Sequence, residues 1–98
     1  MRSKYKNYRN RTEIVAQILQ AANDHNEITK TKIMYATFLS YKQLQRYLAL
    51  LIQDELLEYV KGTHTYRTTE KGLKFLKMYE KMEELMTIER NLPEVQNK

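Results

Sequence analysis

The sequence predicts a mainly α-helical domain with one small β-hairpin, in the order helix, helix, helix, hairpin, long helix. Three observations predict this fold class. Apolar side chains recur at helical spacing in four separate segments. One segment, between the third and the fourth, alternates like a strand and contains a tight turn. Finally, the 98 residues include only two glycines and one proline, which is typical of a single helical domain with few irregular loops.

The first two helices are predicted from their apolar spacing and their caps. Over residues 12–23, one apolar face is formed by Ile14, Val15, Ile18, Leu19 and Ala22. Four consecutive turn-forming residues end this helix. Thr29 can then cap a short second helix over about residues 30–37, which we expect to bury Ile33 and Ala36.

A sharper signal opens the third helix. Ser40 is followed three residues later by Gln43, which is the S-x-x-Q form of a capping box. We expect this helix to end near Asp54 and Glu55, with an apolar side made of Leu44, Tyr47, Leu48, Leu51 and Ile52. About three residues separate the second helix from the third, which is the spacing of a helix-turn-helix.

A β-hairpin is predicted directly after the third helix. Residues 57–61 alternate like a strand, residues 62–64 make a tight turn, and residues 65–68 are rich in β-formers. Three helices followed by a hairpin form the winged-helix layout. In that layout the third helix is the reader of DNA and the hairpin is the wing.

The last helix has the pattern of a dimerisation element. Thr69 can cap a helix over residues 70–92, which Pro93 ends. Its apolar stripe follows a heptad and predicts a dimer interface made of Phe75, Met78, Tyr79, Met82, Leu85, Met86 and Leu92. Because burying one such side chain is worth roughly 1.5–3 kcal/mol, the stripe favours a two-stranded coiled coil between subunits. The alternative is that the helix folds back on its own domain, and the pattern leaves parallel and antiparallel pairing open.

The net charge of +5 is concentrated at the N-terminus. Residues 1–11 contain five basic residues and no acid, whereas residues 12–98 contain twelve of each kind. Within these, residues 28–67 carry six basic residues and three acidic ones. A basic arm beside a mildly basic segment suits a polyanion such as nucleic acid, and it is also typical of a solubilising tail. The predicted organisation is a basic flexible arm (1–11), a winged helix-turn-helix domain (12–69), a coiled-coil helix (70–92) and a disordered tail (93–98).

Enzymatic and membrane functions have little support in the sequence. There is no cysteine, and His25 and His64 lie in separate turns without metal-ligand spacing. Neither a glycine-rich phosphate loop nor a nucleophile motif is present. The longest apolar run, residues 48–52, is too short to cross a bilayer. We therefore expect a cytoplasmic, nucleoid-associated protein that is not an enzyme and uses no cofactor, metal or small-molecule ligand.

The predicted DNA-binding surface centres on the first turns of the third helix. In a docked helix-turn-helix these turns reach base edges and phosphates, where glutamine can pair with adenine and arginine with guanine. The wing and the arm supply further cations that can approach the minor groove or the backbone. The residues assigned to DNA binding are Arg2, Lys4, Lys6, Arg9, Arg11, Lys32, Ser40, Tyr41, Lys42, Gln43, Gln45, Arg46, Lys61, His64 and Arg67.

Several runs of residues resemble a known family. The runs Ile33-Met34-Tyr35, Leu39-Ser40-Tyr41 and Tyr47-Leu48 with Leu51 resemble the small archaeal winged-helix proteins of the 10a type and related archaeal regulators. Residues 66–72 are similar to the Y-x-L-T-x-K-G run that leaves the wing in many winged-helix regulators. The resemblance covers about residues 12–86. It implies a dimer joined by an antiparallel coiled coil, with one DNA-binding head per subunit, acting in chromatin-like binding or in transcriptional regulation.

Two positions depart from the family pattern. Glu55 stands where relatives usually have a glycine at the end of the reader helix, so the turn there is expected to differ. Thr68 stands where leucine is expected, which is predicted to remove a core contact after the wing. Neither departure touches the predicted DNA-binding surface.

The sequence leaves three functions open. The leading one is a homodimeric protein that binds double-stranded DNA, as a transcriptional regulator or as an architectural, chromatin-like protein. The runner-up is a protein-interaction module, in which the winged helix and the coiled coil dock a partner protein. RNA binding is the third, and it would appear as a preference for RNA over duplex DNA of the same sequence.

Overall fold

The computed structural model describes residues 9–90, and its elements follow the predicted order. The elements are α1 (Arg11–Asp24), α2 (Lys30–Thr37), α3 (Tyr41–Gln53), β1 (Leu57–Val60), β2 (Thr65–Thr68) and α4 (Glu70–Arg90). The predicted fold class is therefore confirmed. Residues 91–98, with the predicted interface residue Leu92 and the helix stop Pro93, lie outside the described residues.

The start of α1 differs from the sequence-based boundary. The Asn10 side chain accepts a hydrogen bond from the Glu13 backbone N–H at 2.8 Å, and the Glu13 carboxylate accepts one from the Asn10 backbone N–H at 3.0 Å. This reciprocal pair is a capping box, so α1 begins at Arg11. The predicted arm (1–11) therefore extends too far, because its last residues begin the folded domain.

The hydrophobic core lies where α1, α2 and α3 meet the hairpin. Its buried apolar residues are Ile14, Ala16, Ile18, Leu19, Ala22, Ile28, Ile33, Leu39, Leu44, Leu48, Leu51, Leu57 and Leu76. Most were predicted from helical spacing. Ile52 lies at the edge of the apolar side of α3 and remains 37 % exposed.

In α2, the expectation that Ala36 is buried is wrong. Ala36 is exposed, and Thr37 is buried beside Ile33 instead. Residues four apart lie about 40° apart around a helix and residues three apart about 60°, so Thr37 is closer to the face of Ile33. Its hydroxyl donates to the Ile33 carbonyl at 2.8 Å, which satisfies the polar group inside the core.

The hairpin is joined to the helical core by a third backbone pairing. β1 and β2 are antiparallel, in a register that places Leu57 opposite Thr68 and Val60 opposite Thr65. Tyr66 also pairs with Ile28, whose N–H donates to the Tyr66 carbonyl at 3.0 Å and whose carbonyl accepts from the Tyr66 N–H at 2.8 Å. This bridge was not predicted from the sequence. Strands are recognised by apolar and polar residues that alternate over several positions, and Ile28 pairs as a single residue.

The end of α3 is held by the start of α4, and we call this contact the α3–α4 joint. The Lys71 ammonium donates to the Asp54 carbonyl at 2.7 Å, and the Thr69 hydroxyl donates to the Glu55 carbonyl at 2.6 Å. The Thr69 backbone N–H donates to the Leu56 carbonyl at 3.1 Å. Three successive carbonyls directly after α3 are thus satisfied by Thr69, which precedes α4, and by Lys71 in its first turn.

Glu55 and Gly72 show why this joint constrains its residues. Glu55 has a φ of 64°, in the left-handed region that favours glycine, which is the residue that the family resemblance leads one to expect here. A Cβ on Gly72 would lie 2.3 Å from the Leu56 carbonyl oxygen, so this glycine is required by the close approach of two backbones. The T-x-K-G run is therefore a structural element of the joint.

Thr68 compensates for the core contact that a leucine would provide. Its side chain is buried, and its hydroxyl donates to the Leu19 carbonyl of α1 at 2.7 Å. Threonine in place of the leucine expected from the family pattern therefore replaces an apolar contact with a hydrogen bond between the wing and α1. A buried hydrogen bond of this kind contributes about 1 kcal/mol.

The two halves of α4 differ in their surroundings. In the first half, Leu76 is buried and Phe75 and Tyr79 pack against the core of their own domain. From Met78 onward, the described helix also exposes a row of apolar side chains, with exposed fractions of 73 % for Met78, 44 % for Met82, 69 % for Leu85 and 43 % for Met86. Packing on its own domain thus accounts for Phe75, Leu76 and Tyr79 and leaves this row exposed.

Candidate nucleic-acid interface

The exposed side of α3 presents cations without carboxylate partners. Lys42, Gln45, Arg46, Ala49 and Gln53 are all exposed and recur at the spacing of one helical face. Within residues 9–90, the ion pairs that the structure contains do not involve Lys42 or Arg46. Both cations are therefore available to phosphates or base edges along one stripe.

Two predicted contact residues at the start of α3 already serve the helix itself. The Ser40 hydroxyl accepts a hydrogen bond from the backbone N–H of Gln43 at 3.1 Å. The side-chain oxygen Oε1 of Gln43 accepts one from the backbone N–H of Ser40 at 3.2 Å. The predicted capping box is thus confirmed. It leaves the Gln43 amide nitrogen as the free donor of the pair. The neighbouring Tyr41 is 57 % exposed.

Lys30 is a residue of this surface that the sequence analysis did not single out. It is the first residue of α2, and its ammonium lies 2.6 Å from the side-chain oxygen Oε1 of Gln45 and 3.5 Å from the Tyr41 hydroxyl. It also lies 5.0 Å from the centroid of the Tyr41 ring, within the range of a cation–π contact. This proximity depends on the packing angle between α2 and α3, for which the sequence carries no signal.

In the wing, Arg67 lies in a cluster of acceptors instead of facing solvent alone. Its guanidinium donates two hydrogen bonds to Glu58 and pairs with Glu27 at 3.4 Å. The hydrogen bond and the negative charge of Glu58 raise the pKa of Arg67 above its ordinary value. The Thr63 and Thr65 hydroxyls also donate to Glu27, at 3.2 and 3.0 Å. Arg67 thus stabilises the wing, and its charge is balanced locally.

The other two predicted wing residues lie at the tip of the hairpin. His64 has a φ of 56°, and its ring Nδ1 lies 2.7 Å from the Tyr59 hydroxyl. Tyr59 in turn packs against Tyr66, with ring centroids 5.1 Å apart. Lys61 is exposed, and no ion pair involves it in the part of the chain that the structure describes. Lys61 is therefore the wing cation best placed to meet a phosphate.

Comparison with known proteins identifies the family. Residues 8–87 match the winged helix-turn-helix family, which is well over half of the chain. The chain belongs to that family. It is also 35 % identical over 80 residues to an uncharacterised protein of Methanocaldococcus jannaschii, in an alignment that covers 82 % of this chain and 35 % of that protein. The chain thus spans about a third of the length of this archaeal relative.

Family membership gives the geometry a functional meaning. Winged helix-turn-helix domains are DNA-binding domains and are typically not enzymes. The second helix of the helix-turn-helix, the element that enters the major groove in well-studied proteins of this kind, corresponds to α3 in this chain. Among residues 9–90, no cluster of acidic, histidine or cysteine side chains is arranged to hold a metal ion. Nor is any helix of that part long and apolar enough to span a membrane.

The remaining predicted cations that the structure describes, Arg9, Arg11 and Lys32, lie on the helices or directly before them. The Arg9 guanidinium donates to the Thr37 carbonyl at 2.6 Å and to the Gln17 side chain, so it ties the start of the domain to the end of α2. Arg11 and Lys32 are exposed. Arg2, Lys4 and Lys6 lie outside the described residues.

Proposed function

We propose that this protein binds double-stranded DNA as a homodimer, as a transcriptional regulator or an architectural protein, with α3 in the major groove. The observation that carries the proposal is the exposed stripe of α3, where Lys42 and Arg46 lie one turn apart beside Gln45. Its position within a winged helix-turn-helix supports this use of the stripe. Lys61 at the wing tip would add a backbone contact beside the reader helix.

The proposed dimer rests on the exposed apolar row of α4. Exposed apolar side chains form a seam on this helix, which already packs Phe75, Leu76 and Tyr79 against its own domain; the seam consists of Met78, Met82, Leu85 and Met86. A partner α4 would bury this seam in a coiled coil. The resemblance to archaeal proteins of the 10a type favours an antiparallel arrangement, with a DNA-binding head at each end.

The decisive experiment measures affinity for random-sequence duplex DNA across a salt series. If five or six phosphates are contacted, log K should fall with log salt at a slope of about −5. A chain that begins at Arg9 lacks Arg2, Lys4 and Lys6, and its slope should be shallower by up to about 2.7 if all three meet phosphates. Failure of the full chain to bind duplex DNA at low salt would overturn the proposal.

A transcriptional regulator and an architectural protein differ in the ratio of their affinities for a specific duplex and for random-sequence duplex. A regulator should bind one selected duplex roughly 10³-fold or more tightly than random duplex at the same salt concentration. An architectural protein should show a ratio near one. The same series with RNA of identical sequence separates both from an RNA-binding protein.

The dimer is tested by sedimentation equilibrium of the full chain. Met82→Glu with Leu85→Glu places charges in the seam and should shift the protein to monomer. Lys81→Glu, an exposed neighbour on the same helix, is the matched control and should stay dimeric. A monomeric wild-type protein at micromolar concentration would contradict the dimer and leave the DNA contact of one head intact.

A second candidate function, docking of a partner protein, is favoured by exposed aromatic residues near the turn between α2 and α3. Tyr35 is 71 % exposed, and Phe38 is 87 % exposed with a φ of 58°. A large residue in this backbone region costs about 1–2 kcal/mol. Phe38→Gly should therefore stabilise the fold. It would abolish binding if a protein partner docks there, and would leave duplex binding unchanged if DNA is the ligand.

A further inference from the structure

We propose that Lys30 is a positioning residue that orients the Gln45 amide, so that the reader helix prefers guanine to adenine at the base pair that Gln45 faces. The proposal rests on the proposed function, since it concerns how α3 reads a duplex. It adds a specificity rule to that function and assigns the rule to a residue of α2.

The orientation of the Gln45 amide follows from the chemistry of its neighbour. An ammonium has three donors and no acceptor, so the Gln45 atom that faces Lys30 Nζ at 2.6 Å has to be the carbonyl oxygen. The Tyr41 hydroxyl at 3.5 Å and the Tyr41 ring at 5.0 Å further hold the ammonium in this place. The Gln45 amide nitrogen, with its two hydrogens, is then left as the free group.

A glutamine in this state reads adenine less favourably than a free glutamine does. That contact needs the amide oxygen and nitrogen side by side, with the oxygen accepting from adenine N6 and the nitrogen donating to N7. With Lys30 on one lone pair of the oxygen, adenine N6 would have to use the second, which brings the ammonium beside the adenine amino group, donor against donor. The expectation from sequence alone, that a reader glutamine pairs with adenine, is therefore reversed.

Guanine matches the donors that the pair presents. Its major-groove edge offers two acceptors, O6 and N7. The Gln45 amide nitrogen can donate to one of them, and the remaining hydrogens of the Lys30 ammonium can donate to the other. No carboxylate pairs with Lys30 within residues 9–90, so the positive charge of the ammonium also favours these electronegative atoms.

The experiment selects bound duplexes from a randomised library with the full-length protein. Gln45→Ala identifies the base pair that Gln45 faces, as the position whose preference it abolishes. Lys30→Met removes the ammonium and keeps most of the apolar stem, while Lys32→Met is the matched control on the same helix, since Lys32 is exposed. We expect wild type and Lys32→Met to prefer guanine there, and Lys30→Met to shift the guanine-to-adenine ratio by at least about fivefold towards adenine.

A second readout does not require DNA. The side-chain amide resonances of Gln45 should move in Lys30→Met and stay in place in Lys32→Met. Adenine preference in wild type, an unchanged ratio in Lys30→Met, or amide signals that do not respond to Lys30→Met would each overturn the proposal. Duplex binding without any preference that Gln45→Ala removes would overturn it alone, whereas absence of duplex binding would overturn the proposed function as well.

Discussion

The reader helix and the wing carry their cations in opposite surroundings. On α3, Lys42 and Arg46 are exposed and pair with no carboxylate in the part of the chain that the structure describes. In the wing, Arg67 lies between Glu27 and Glu58, and the Thr63 and Thr65 hydroxyls complete the cluster. The two regions contain similar residue types, but Arg67 is neutralised locally, so Lys61 is the wing cation that remains available to a polyanion among the described residues.

This difference shows what a local charge count leaves out. Residues 28–67 carry an excess of basic residues, and the count treats Arg67 like Arg46. In the fold, Arg67 is balanced by Glu58 across the hairpin and by Glu27, which lies outside that window. A basic residue predicts a phosphate contact only if no carboxylate of the same surface reaches it first.

Removing both free cations of α3 should have the largest effect. Lys42→Ala with Arg46→Ala removes two proposed phosphate or base contacts, so we expect the salt slope to become shallower by about 1.8 and affinity near 0.1 M salt to fall roughly 30- to 100-fold. Lys74→Ala with Lys77→Ala removes the same charge from exposed positions of α4 and should change little. Equal losses in both variants would mean that net charge, not the reader helix, governs binding.

Releasing Arg67 should turn the wing into a second basic surface. Glu58→Gln removes the carboxylate that holds the guanidinium by two hydrogen bonds and leaves the weaker pair with Glu27 at 3.4 Å. An exposed ion pair of that kind contributes little, so a phosphate can compete for the arginine. We expect affinity to rise by about three- to tenfold and the salt slope to steepen by up to about 0.9, measured in the same titrations. Unchanged affinity would place the wing away from the duplex.

The attachment of the wing to the helical core can be weakened without touching either charged surface. Thr68→Val keeps the shape of the side chain and removes its hydrogen bond to the Leu19 carbonyl. The free energy of unfolding should fall by about 0.5–1.5 kcal/mol, measured in urea with an unchanged m-value. Thr12→Val, at an exposed position of α1, should stay within about 0.5 kcal/mol of wild type. A Thr68 variant as stable as wild type would mean that the apolar methyl offsets the lost bond.

Removing the wing ion pair as a unit should have the smallest effect. Glu58→Gln with Arg67→Gln leaves the net charge of the wing unchanged and deletes a pair that already neutralises itself. Duplex affinity should remain within about twofold of wild type, because an exposed pair contributes little and Arg67 is not among the proposed contacts. A loss comparable to that of the double variant on α3 would return Arg67 to the DNA-binding surface.

Features of the fold with local causes were predictable from the sequence. The capping box of Ser40 and Gln43, the cap at Thr29 and the hairpin with its tight turn each follow from a few neighbouring residues. The features that were missed join distant segments. They are the bridge between Ile28 and Tyr66 and the contact of Arg9 with the end of α2.

The candidate site divides in the same way. The exposure of Lys42, Gln45 and Arg46 on one face of α3 follows from helical periodicity. The contact of Lys30 with Gln45 spans fifteen residues, and the pairing of Glu27 with Arg67 spans forty. Each depends on how two elements pack, which a pattern along the chain does not encode. The heptad on α4 likewise mixes residues that pack on their own domain with residues that stay exposed.

In a dimer, the α3–α4 joint would set the rotation of each DNA-binding head relative to the duplex. Three hydrogen bonds to carbonyls and a close backbone approach at Gly72 connect the start of α4 directly to the end of α3. An α-helix advances about 1.5 Å and rotates about 100° with each residue. In a homodimer joined through α4, one residue inserted between the joint and the seam would rotate each α3 by about 100° relative to the coiled coil. Each α3 would then no longer face its major groove. The length of α4 would then determine the spacing between the two DNA sites that one dimer can occupy.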